Sequence, residues 1–265
     1  MNELEVIILA AGKGKRMNPN TNEPVGTRIN SDLPKPLYTV GGETSLQRIL
    51  KNVAWIVNDP IIVVGHNKEK IMEKIGPGFT YVIQEEQRGT GHAVQAVKDA
   101  LKDRIFAKDA IVLLADHPFV SEQTMQNLWN AHKEKNAIIT VTSLIVPDFL
   151  GDHELFSHYG KIRRDKNNRI QEIVEEKDAN EEEKKIKEVN ISFYCFDTKW
   201  LWENIGALKN ENKAGEFYLT DMVQIAASQN IPIHSYALPL PNIKEGIGFN
   251  TWEQLELSRR LEDAT

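Results

Sequence analysis

Short apolar runs alternate along the chain with segments in which apolar residues recur every three or four positions. The apolar runs predict β-strands at Val6–Leu9, Ile61–Val64, Ala110–Leu114 and Ile138–Leu144. Because these runs are continuous rather than alternating, we expect strands that are covered on both faces.

The segments between these strands have the spacing of amphipathic helices. The predicted helices are Thr44–Ile56, His92–Leu101 and Ser121–Asn130, and the last begins with a serine, a favourable N-cap residue. Strands that alternate with helices predict an α/β fold with mainly parallel strands.

The pattern changes in the second half of the chain. Lys161–Arg169 is basic and turn-like, with Asn167 and Asn168 at a predicted hairpin tip, and Ile170–Val174 and Val189–Phe196 are strand-like. The charged run Ala179–Lys187 is typical of a solvated helix or loop. We interpret this half as a hairpin-containing insertion on one α/β core.

Composition excludes several classes of protein. The chain has 265 residues, of which 41% are hydrophobic and 26% charged, so it is expected to be globular. A net charge of -6 argues against nonspecific nucleic-acid binding, and a single Cys excludes a disulfide scaffold. No apolar run approaches the ~20 residues that span a bilayer. We therefore expect a cytoplasmic protein with no membrane or nucleic-acid partner.

A glycine-rich loop follows the first predicted strand. It reads LAAGKGKRM from Leu9 to Met17, and glycines at this point allow backbone amides to approach a phosphate closely. It lacks the spacing of a P-loop and the third glycine of a dinucleotide fingerprint. Further along, the segment DLPKPL holds Lys35 between two prolines, which restricts the backbone around this charge.

Together these two segments resemble the sugar-1-phosphate nucleotidyltransferases, also called sugar-nucleotide pyrophosphorylases. The resemblance is strongest to the uridyltransferase domain of bacterial N-acetylglucosamine-1-phosphate uridyltransferases. It continues through QEEQRGTGHA (84–93), LLADHP (113–118), YGKI (159–162), IVEEKDA (173–179), EVN (188–190), GEFYLTD (215–221) and GFNT (248–251).

The resemblance implies a Rossmann-like three-layer sandwich with a mixed, mainly parallel central sheet and a small hairpin-containing insertion that binds sugar. Residues 1–265 would form one catalytic domain. Its nucleotide-binding half would span about 1–145, its sugar-binding half about 146–251, and a C-terminal helix 252–265. This length is expected to leave no room for the acetyltransferase domain of the bifunctional members.

The resemblance also implies roles for individual residues. Arg16, Lys35 and Asp116 would be catalytic; Ala10, Ala11, Gly12, Gly14, Gln84, Gly89 and Thr90 would bind nucleotide; Gly160, Glu175, Lys177, Asn190, Tyr218 and Thr220 would bind the sugar phosphate; and Asp116 with Asn250 would hold Mg²⁺. Residues 18–30 lengthen the usual spacing between the Gly loop and Lys35, so Arg28 is an alternative to Arg16.

Three positions differ from the family's pattern or add to it. Ala115 stands where the family more often has Gly, and Ile191-Ser192 replaces its usual Thr-Gly beside the expected sugar. His117 follows the expected metal ligand Asp116. No second histidine lies at a useful spacing, so we interpret His117 as a loop or pocket-lining residue rather than a ligand.

The expected activity is Mg²⁺-dependent nucleotidyl transfer from UTP to N-acetylglucosamine-1-phosphate, releasing pyrophosphate. The partners would be a nucleoside triphosphate and a sugar-1-phosphate, and a homo-oligomer is an open possibility. The alternatives are a glucose-1-phosphate uridylyltransferase, a cytidylyltransferase with a phosphocholine-like acceptor, and a non-catalytic nucleotide-sugar sensor of the same fold.

Overall fold

A computed structural model describes residues 3–14, 17 and 33–263 of the chain. Its strands are β1 (Leu4–Leu9), β2 (Thr39–Val40), β3 (Glu43–Thr44), β4 (Ile61–Val64), β5 (Thr80–Ile83), β6 (Asp109–Leu114), β7 (Ile139–Ile145), β8 (Lys161–Arg164), β9 (Ile170–Val174), β10 (Glu188–Asp197) and β11 (Ile233–Ala237). Its α-helices are α1 (Ser45–Val53), α2 (Lys68–Ile75), α3 (Thr90–Ala100), α4 (Glu122–Glu134), α5 (Thr198–Asn204), α6 (Asp221–Ser228) and α7 (Trp252–Asp263).

The central sheet is mixed and has the order β11-β7-β10-β6-β1-β4-β5. Strands β6, β1, β4 and β5 run parallel to one another, whereas β10 runs antiparallel between β6 and β7. The hairpin β8–β9 extends from β10, and Asn168 at its turn has a φ of 62°. The predicted hairpin is therefore confirmed, and it belongs to the same sheet as the first half of the chain.

Helices cover both faces of this sheet. Alternate residues of β1 enter different cores: Val6 and Ile8 face the side that carries α1, α2, α4 and α7, whereas Ile7 and Leu9 face α3, α5 and α6. This alternation explains the continuous apolar runs, because each strand needs apolar residues on both faces. The three-layer α/β fold predicted from the sequence is confirmed.

Several strands and helices were not predicted, among them β2, β3, α2, β5, α5 and β11. Strands β5 and β11 lie at the two edges of the sheet, and of their residues only Val82 is buried. Edge strands covered this incompletely do not need a continuous apolar run, so the hydrophobic pattern gave no signal. None of the helices among the described residues is long and apolar enough to cross a membrane.

A fully buried lysine lies at the start of β8. Lys161 is 0% exposed, and its Nζ donates hydrogen bonds to the carbonyl oxygens of Ser157 (2.8 Å) and Tyr159 (2.6 Å). These bonds connect the start of β8 to the end of the preceding 3-10 segment, Gly151–His158. Burial lowers the pKa of Lys161 to about 8, although nearby Glu176 and Glu175 act to raise it.

We predict that Lys161 makes the protein more stable as the pH rises from 8 to 10. Its folded pKa lies below its unfolded value, so the unfolded chain binds more protons in this range and unfolding becomes less favourable. In Lys161→Met this rise in the free energy of unfolding should shrink by an amount on the order of 1–3 kcal/mol. Denaturant titrations at each pH measure it.

The matched control is Lys166→Met, which replaces an exposed lysine in the turn of the same hairpin. It should keep the pH dependence of the unmodified chain. Equal pH slopes for the two variants would contradict the assignment.

Candidate active site

The candidate site lies at the carboxyl ends of two parallel strands. β1 and β6 pair in register from Leu4–Asp109 to Leu9–Leu114, and the amide of Ala115 donates to the carbonyl of Leu9 at 3.0 Å. The glycine-rich loop after β1 therefore lies beside the segment that carries Asp116. The carboxyl edge of such a sheet is where α/β proteins bind their ligands.

Three predicted site residues from distant parts of the chain meet at this edge. The Nζ atom of Lys35 forms a short ion pair with Oδ2 of Asp116 and donates to Oδ1 of Asn250 at 2.9 Å. Asp116 is 6% exposed, so the pair is largely shielded from water. The structure thus brings together the lysine expected to be catalytic and the two residues expected to be metal ligands.

The electrostatics of Asp116 favour its ionised form. Burial by itself raises the pKa of this carboxyl, but the charge of Lys35 and the hydrogen bond with His117 outweigh burial and hold the pKa below its ordinary value. His117 Nδ1 lies 2.9 Å from Oδ1 of Asp116. Both carboxylate oxygens therefore have a partner, which a buried charge requires.

Lys35 is positioned by its proline-flanked turn. Residues Lys35–Leu37 form one turn of 3-10 helix that begins after Pro34, and the amide of Leu37 donates to the carbonyl of Pro34 at 2.9 Å. On its other side the turn faces the glycine-rich loop, where a Cβ at Gly14 would lie 3.7 Å from Lys35 Cβ. The sequence prediction that the two prolines pre-position this charge agrees with the geometry.

Asn250 is held by two sets of contacts. The backbone amide of Asn250 donates to Oε1 of Gln254 at 2.6 Å. The backbone amide of the preceding residue, Phe249, donates to the carbonyl of Asp116 at 3.1 Å. Sequence reasoning missed Gln254, although Thr251 followed three residues later by Gln is the pattern of a helix capping box. The N-terminus of α7 thereby fixes the segment that carries Asn250.

Tyr159 braces the same segment from the hairpin side. Its hydroxyl donates to the carbonyl of Gly246 at 3.0 Å and accepts from the amide of Gly248 at 2.9 Å. The YGKI motif was predicted to contribute Gly160 to the sugar-phosphate site. In the structure its tyrosine also holds the segment that leads to Asn250.

The oxygen atoms at this edge suit a hard divalent cation. Oδ2 of Asp116 and Oδ1 of Asn250 converge on one ammonium group, so a single cation can contact both. Among the described residues no cluster of three or more His, Cys, Asp or Glu could hold a metal. A magnesium ion held by one carboxylate, one amide oxygen and substrate phosphates would fit this donor set.

The segment expected to bind the base lies near the same edge. Gln84 directly follows β5 and is 3% exposed. Its Nε2 donates to the carbonyl of Gly89 at 3.0 Å and lies 3.0 Å from Nδ1 of His92. These contacts fix the orientation of the amide, and no described residue donates a hydrogen bond to its Oε1.

Gly89 and Thr90 join this segment to the GEFYLTD motif. Gly89 has a φ of 114°, and a Cβ there would collide with the backbone of Phe217. The amide of Phe217 donates to the carbonyl of Arg88 at 2.8 Å, and the amide of Leu219 donates to Oγ1 of Thr90 at 3.0 Å. The predicted nucleotide-binding and sugar-binding motifs therefore touch directly.

Predicted sugar-binding residues gather around Glu175. Thr220 Oγ1 donates to Oε1 of Glu175 at 3.0 Å, and a Cβ at Gly160 would lie 3.6 Å from both carboxylate oxygens. Burial raises the pKa of Glu175. Thr220 directly precedes α6, but its side chain makes no capping bond to the helix because the hydroxyl turns to Glu175.

Asn190 and the Ile191-Ser192 departure lie in an irregularity of β10. The pairing with β7 shifts between Asn190 and Tyr194, and Ser192 has a φ of 63°. Asn190 Nδ2 donates to the hydroxyl of Tyr194 at 2.6 Å, and its Oδ1 accepts from the amide of Ser192 at 3.1 Å. The family's usual glycine suits this backbone, and here a serine adopts it with support from Asn190.

Tyr218 lines a cavity of about 390 Å³ next to Glu175. The lining is strongly acidic and includes Glu172, Asp178 and Asp221. Burial and the charges of Asp178 and Glu172 raise the pKa of Asp221 to about 6.

The remaining predicted residues have less definite positions. Ala10 and Ala11 are buried and Gly12 is exposed. Lys177 is exposed, and its backbone carbonyl accepts from Lys213 Nζ at 2.6 Å. The alternative residues Arg16 and Arg28 both lie outside the described residues.

Comparison with known proteins places this site in a family. Residues 6–186 match the MobA-like NTP transferase domain. The chain is 34% identical over 97% of its length to the bifunctional protein GlmU of Desulfotalea psychrophila, of which it covers 70%. It is 37% identical over 96% of its length to the bifunctional protein GlmU of Clostridium botulinum, of which it covers 51%. It therefore spans about half to two thirds of these relatives.

A solved structure shows the same fold. A Bacillus anthracis protein described as a candidate glucose-1-phosphate thymidylyltransferase, crystallised with sucrose, superposes with a TM-score of 0.71 and 19% identity. The match covers 99% of this chain and 96% of that one. The resemblance inferred from the motifs is confirmed: the chain belongs to the MobA-like NTP transferase domain family and is a nucleotidyltransferase of the sugar-1-phosphate group that includes GlmU.

Proposed function

We propose that this nucleotidyltransferase transfers a uridylyl group from UTP to N-acetylglucosamine-1-phosphate with the help of Mg²⁺. The observation that carries the proposal is the meeting of Lys35, Asp116 and Asn250 at one edge of the sheet. A non-catalytic sensor would not need to retain this set of charged and metal-binding groups.

In the proposed reaction a phosphate oxygen of the sugar-1-phosphate attacks the α-phosphorus of the triphosphate. A new oxygen–phosphorus bond forms, the bond from the α-phosphorus to the bridging oxygen breaks, and pyrophosphate leaves with the electron pair. The nucleophile is already anionic, so the chain supplies no general base. Its contribution is to position the reactants and stabilise charge.

Each residue has a defined part in this reaction. Asp116 and Asn250 would hold Mg²⁺, which neutralises phosphate charge when bound. The turn that carries Lys35 lies against the glycine-rich loop, so the ammonium now paired with Asp116 is proposed to contact a phosphate bound there. Arg16 is proposed to add a second positive charge at that phosphate.

Gln84 is proposed to select the base. Its Nε2 is occupied by Gly89 and His92, so its Oε1 is available to accept a hydrogen bond. The imide N–H of uracil is such a donor, whereas the corresponding nitrogen of cytosine carries no hydrogen. This difference favours UTP over CTP.

One observation favours a second candidate acceptor. The cavity beside Glu175 and Tyr218 is lined by Glu172, Asp178 and Asp221, which is an unusual density of negative charge for a neutral sugar. A phosphocholine-like acceptor would place its positive charge there. Transfer to such an acceptor is therefore the alternative that the assay must test.

We predict pyrophosphate release from UTP and N-acetylglucosamine-1-phosphate in the presence of Mg²⁺. A coupled assay that crosses UTP, CTP and dTTP with N-acetylglucosamine-1-phosphate, glucose-1-phosphate and phosphocholine measures the preference. The pair with the highest kcat/KM identifies the substrates. Highest turnover with CTP and phosphocholine would favour the second candidate, and no turnover with any pair would contradict catalysis.

We predict that Asp116→Asn lowers kcat by roughly 10²-fold or more, because charge clamps of this kind contribute several kcal/mol to transition-state stabilisation. The matched control is Asp109→Asn, which alters the other end of β6, where the carboxylate accepts from Trp129 Nε1 at 2.9 Å. The control should lose stability but retain kcat. An Asp116→Asn variant with unchanged kcat would disprove the mechanism.

We predict that Gly89→Ala raises KM for the nucleotide by about tenfold or more, a loss of roughly 1.4 kcal/mol. A Cβ at position 89 would lie 2.8 Å from the backbone nitrogen of Phe217 and would therefore displace the Phe217 backbone. The side-chain amide of Gln84, which donates to the carbonyl of Gly89, would be displaced with it. Gly78→Ala is the control, because Gly78 has a φ of 105° with no atom within 4 Å of its Cβ position. Equal KM values for the two variants would contradict the role of Gly89.

A further inference from the structure

His117 is a buried group that the proposed reaction does not use. It is 4% exposed, and its Nδ1 lies 2.9 Å from Oδ1 of Asp116. A carboxylate can only accept, so Nδ1 carries the hydrogen and donates it. Its Nε2 is buried with no hydrogen-bond partner among the described residues. The contact with Asp116 is therefore the polar interaction that accounts for a histidine here.

The surroundings hold the imidazole ring in one orientation. Phe193 packs against it edge-on, with ring centroids 5.1 Å apart. Gly248 also lies against the ring, and a Cβ there would come within 2.5–2.9 Å of three ring atoms. Only a residue without a side chain leaves room for the ring, so this segment and His117 fit each other.

The two oxygens of Asp116 are consequently used for different purposes. Oδ1 accepts from His117, and Oδ2 faces the point where Lys35 meets Asn250. Without His117, the carboxylate could rotate about its terminal torsion, which is soft for Asp. Groups that hold a ligating carboxylate in this way commonly change metal affinity by 10–100-fold when they are removed.

We propose that His117 is a positioning residue: its Nδ1–H holds Oδ1 of Asp116 and thereby aims Oδ2 at the proposed divalent-cation site shared with Asn250. The inference rests on the proposed function, because it assigns the histidine a role toward that cation. It adds a role to the sequence interpretation of His117, which treated it as a loop or pocket-lining residue rather than a metal ligand.

The test compares two substitutions of the same residue. His117→Asn retains a donor close to the position of Nδ1, whereas His117→Leu removes the donor and keeps an apolar side chain. Binding of Mn²⁺ is titrated by electron paramagnetic resonance with UTP present and no acceptor, so the readout does not depend on turnover. We expect the Mn²⁺ dissociation constant to rise about tenfold or more in His117→Leu and less than about threefold in His117→Asn.

The matched control is His132→Leu, since His132 is another buried histidine, bonded through Nδ1 to Thr140 Oγ1 at 2.9 Å. It should lower the melting temperature while leaving Mn²⁺ binding within about twofold of the unmodified chain. Equal Mn²⁺ affinity in His117→Leu, or equal losses in both His117 variants, would overturn the positioning role alone. Absence of Mn²⁺ binding by the unmodified chain would overturn both this inference and the proposed metal-dependent function.

Discussion

The ion pair between Lys35 and Asp116 is the interaction on which the site depends. Taking two charges out of water is costly, and the cost is offset only when both groups are well paired and hydrogen-bonded. Here His117 satisfies one oxygen of Asp116, while Asn250 shares the ammonium of Lys35. The pair therefore brings three segments together, and each is anchored by its own local structure: the end of β6, a proline-flanked turn and the start of α7.

The same requirement joins the two halves of the chain. Tyr159, beside the hairpin, braces the segment that carries Asn250, and the backbone of Phe217 pairs with the turn at Gly89. A sugar phosphate bound near Glu175 would thus lie on a surface that is continuous with the segment proposed to bind the nucleotide, residues 84–93. Buried Lys161 supports this junction by bonding the carbonyl of Tyr159. These contacts explain why the motifs run through almost the whole chain.

The acceptor side differs in character from the phosphate side. Around Lys35 the charges are balanced, whereas the cavity beside Tyr218 collects carboxylates whose pKa values are raised by burial and mutual repulsion. Ser192 on β10 adopts a left-handed backbone conformation at a position where the family usually has Gly. Under the proposed function, the second half of the chain would select the acceptor, whereas the reacting phosphates would be held by Lys35 and Asp116 from the first half together with Asn250 from the second.

The hydrophobic pattern by itself determined the three-layer core, because strands covered on both faces need continuous apolar runs such as Ile61–Val64. The resemblance of the motifs to the family likewise pointed to Lys35, Asp116 and Asn250 as site residues, and the structure places the three together. Only the tertiary structure decided which partners these residues have. His117 and Gln254 act through contacts with Asp116 and Asn250, and edge strands β5 and β11 form because neighbouring strands supply their hydrogen bonds. The contact of Gln254 follows a local capping-box pattern, whereas the pairing of Lys35 with Asp116 and Asn250 and the pairing of the edge strands join segments that are distant along the chain, which no local pattern encodes.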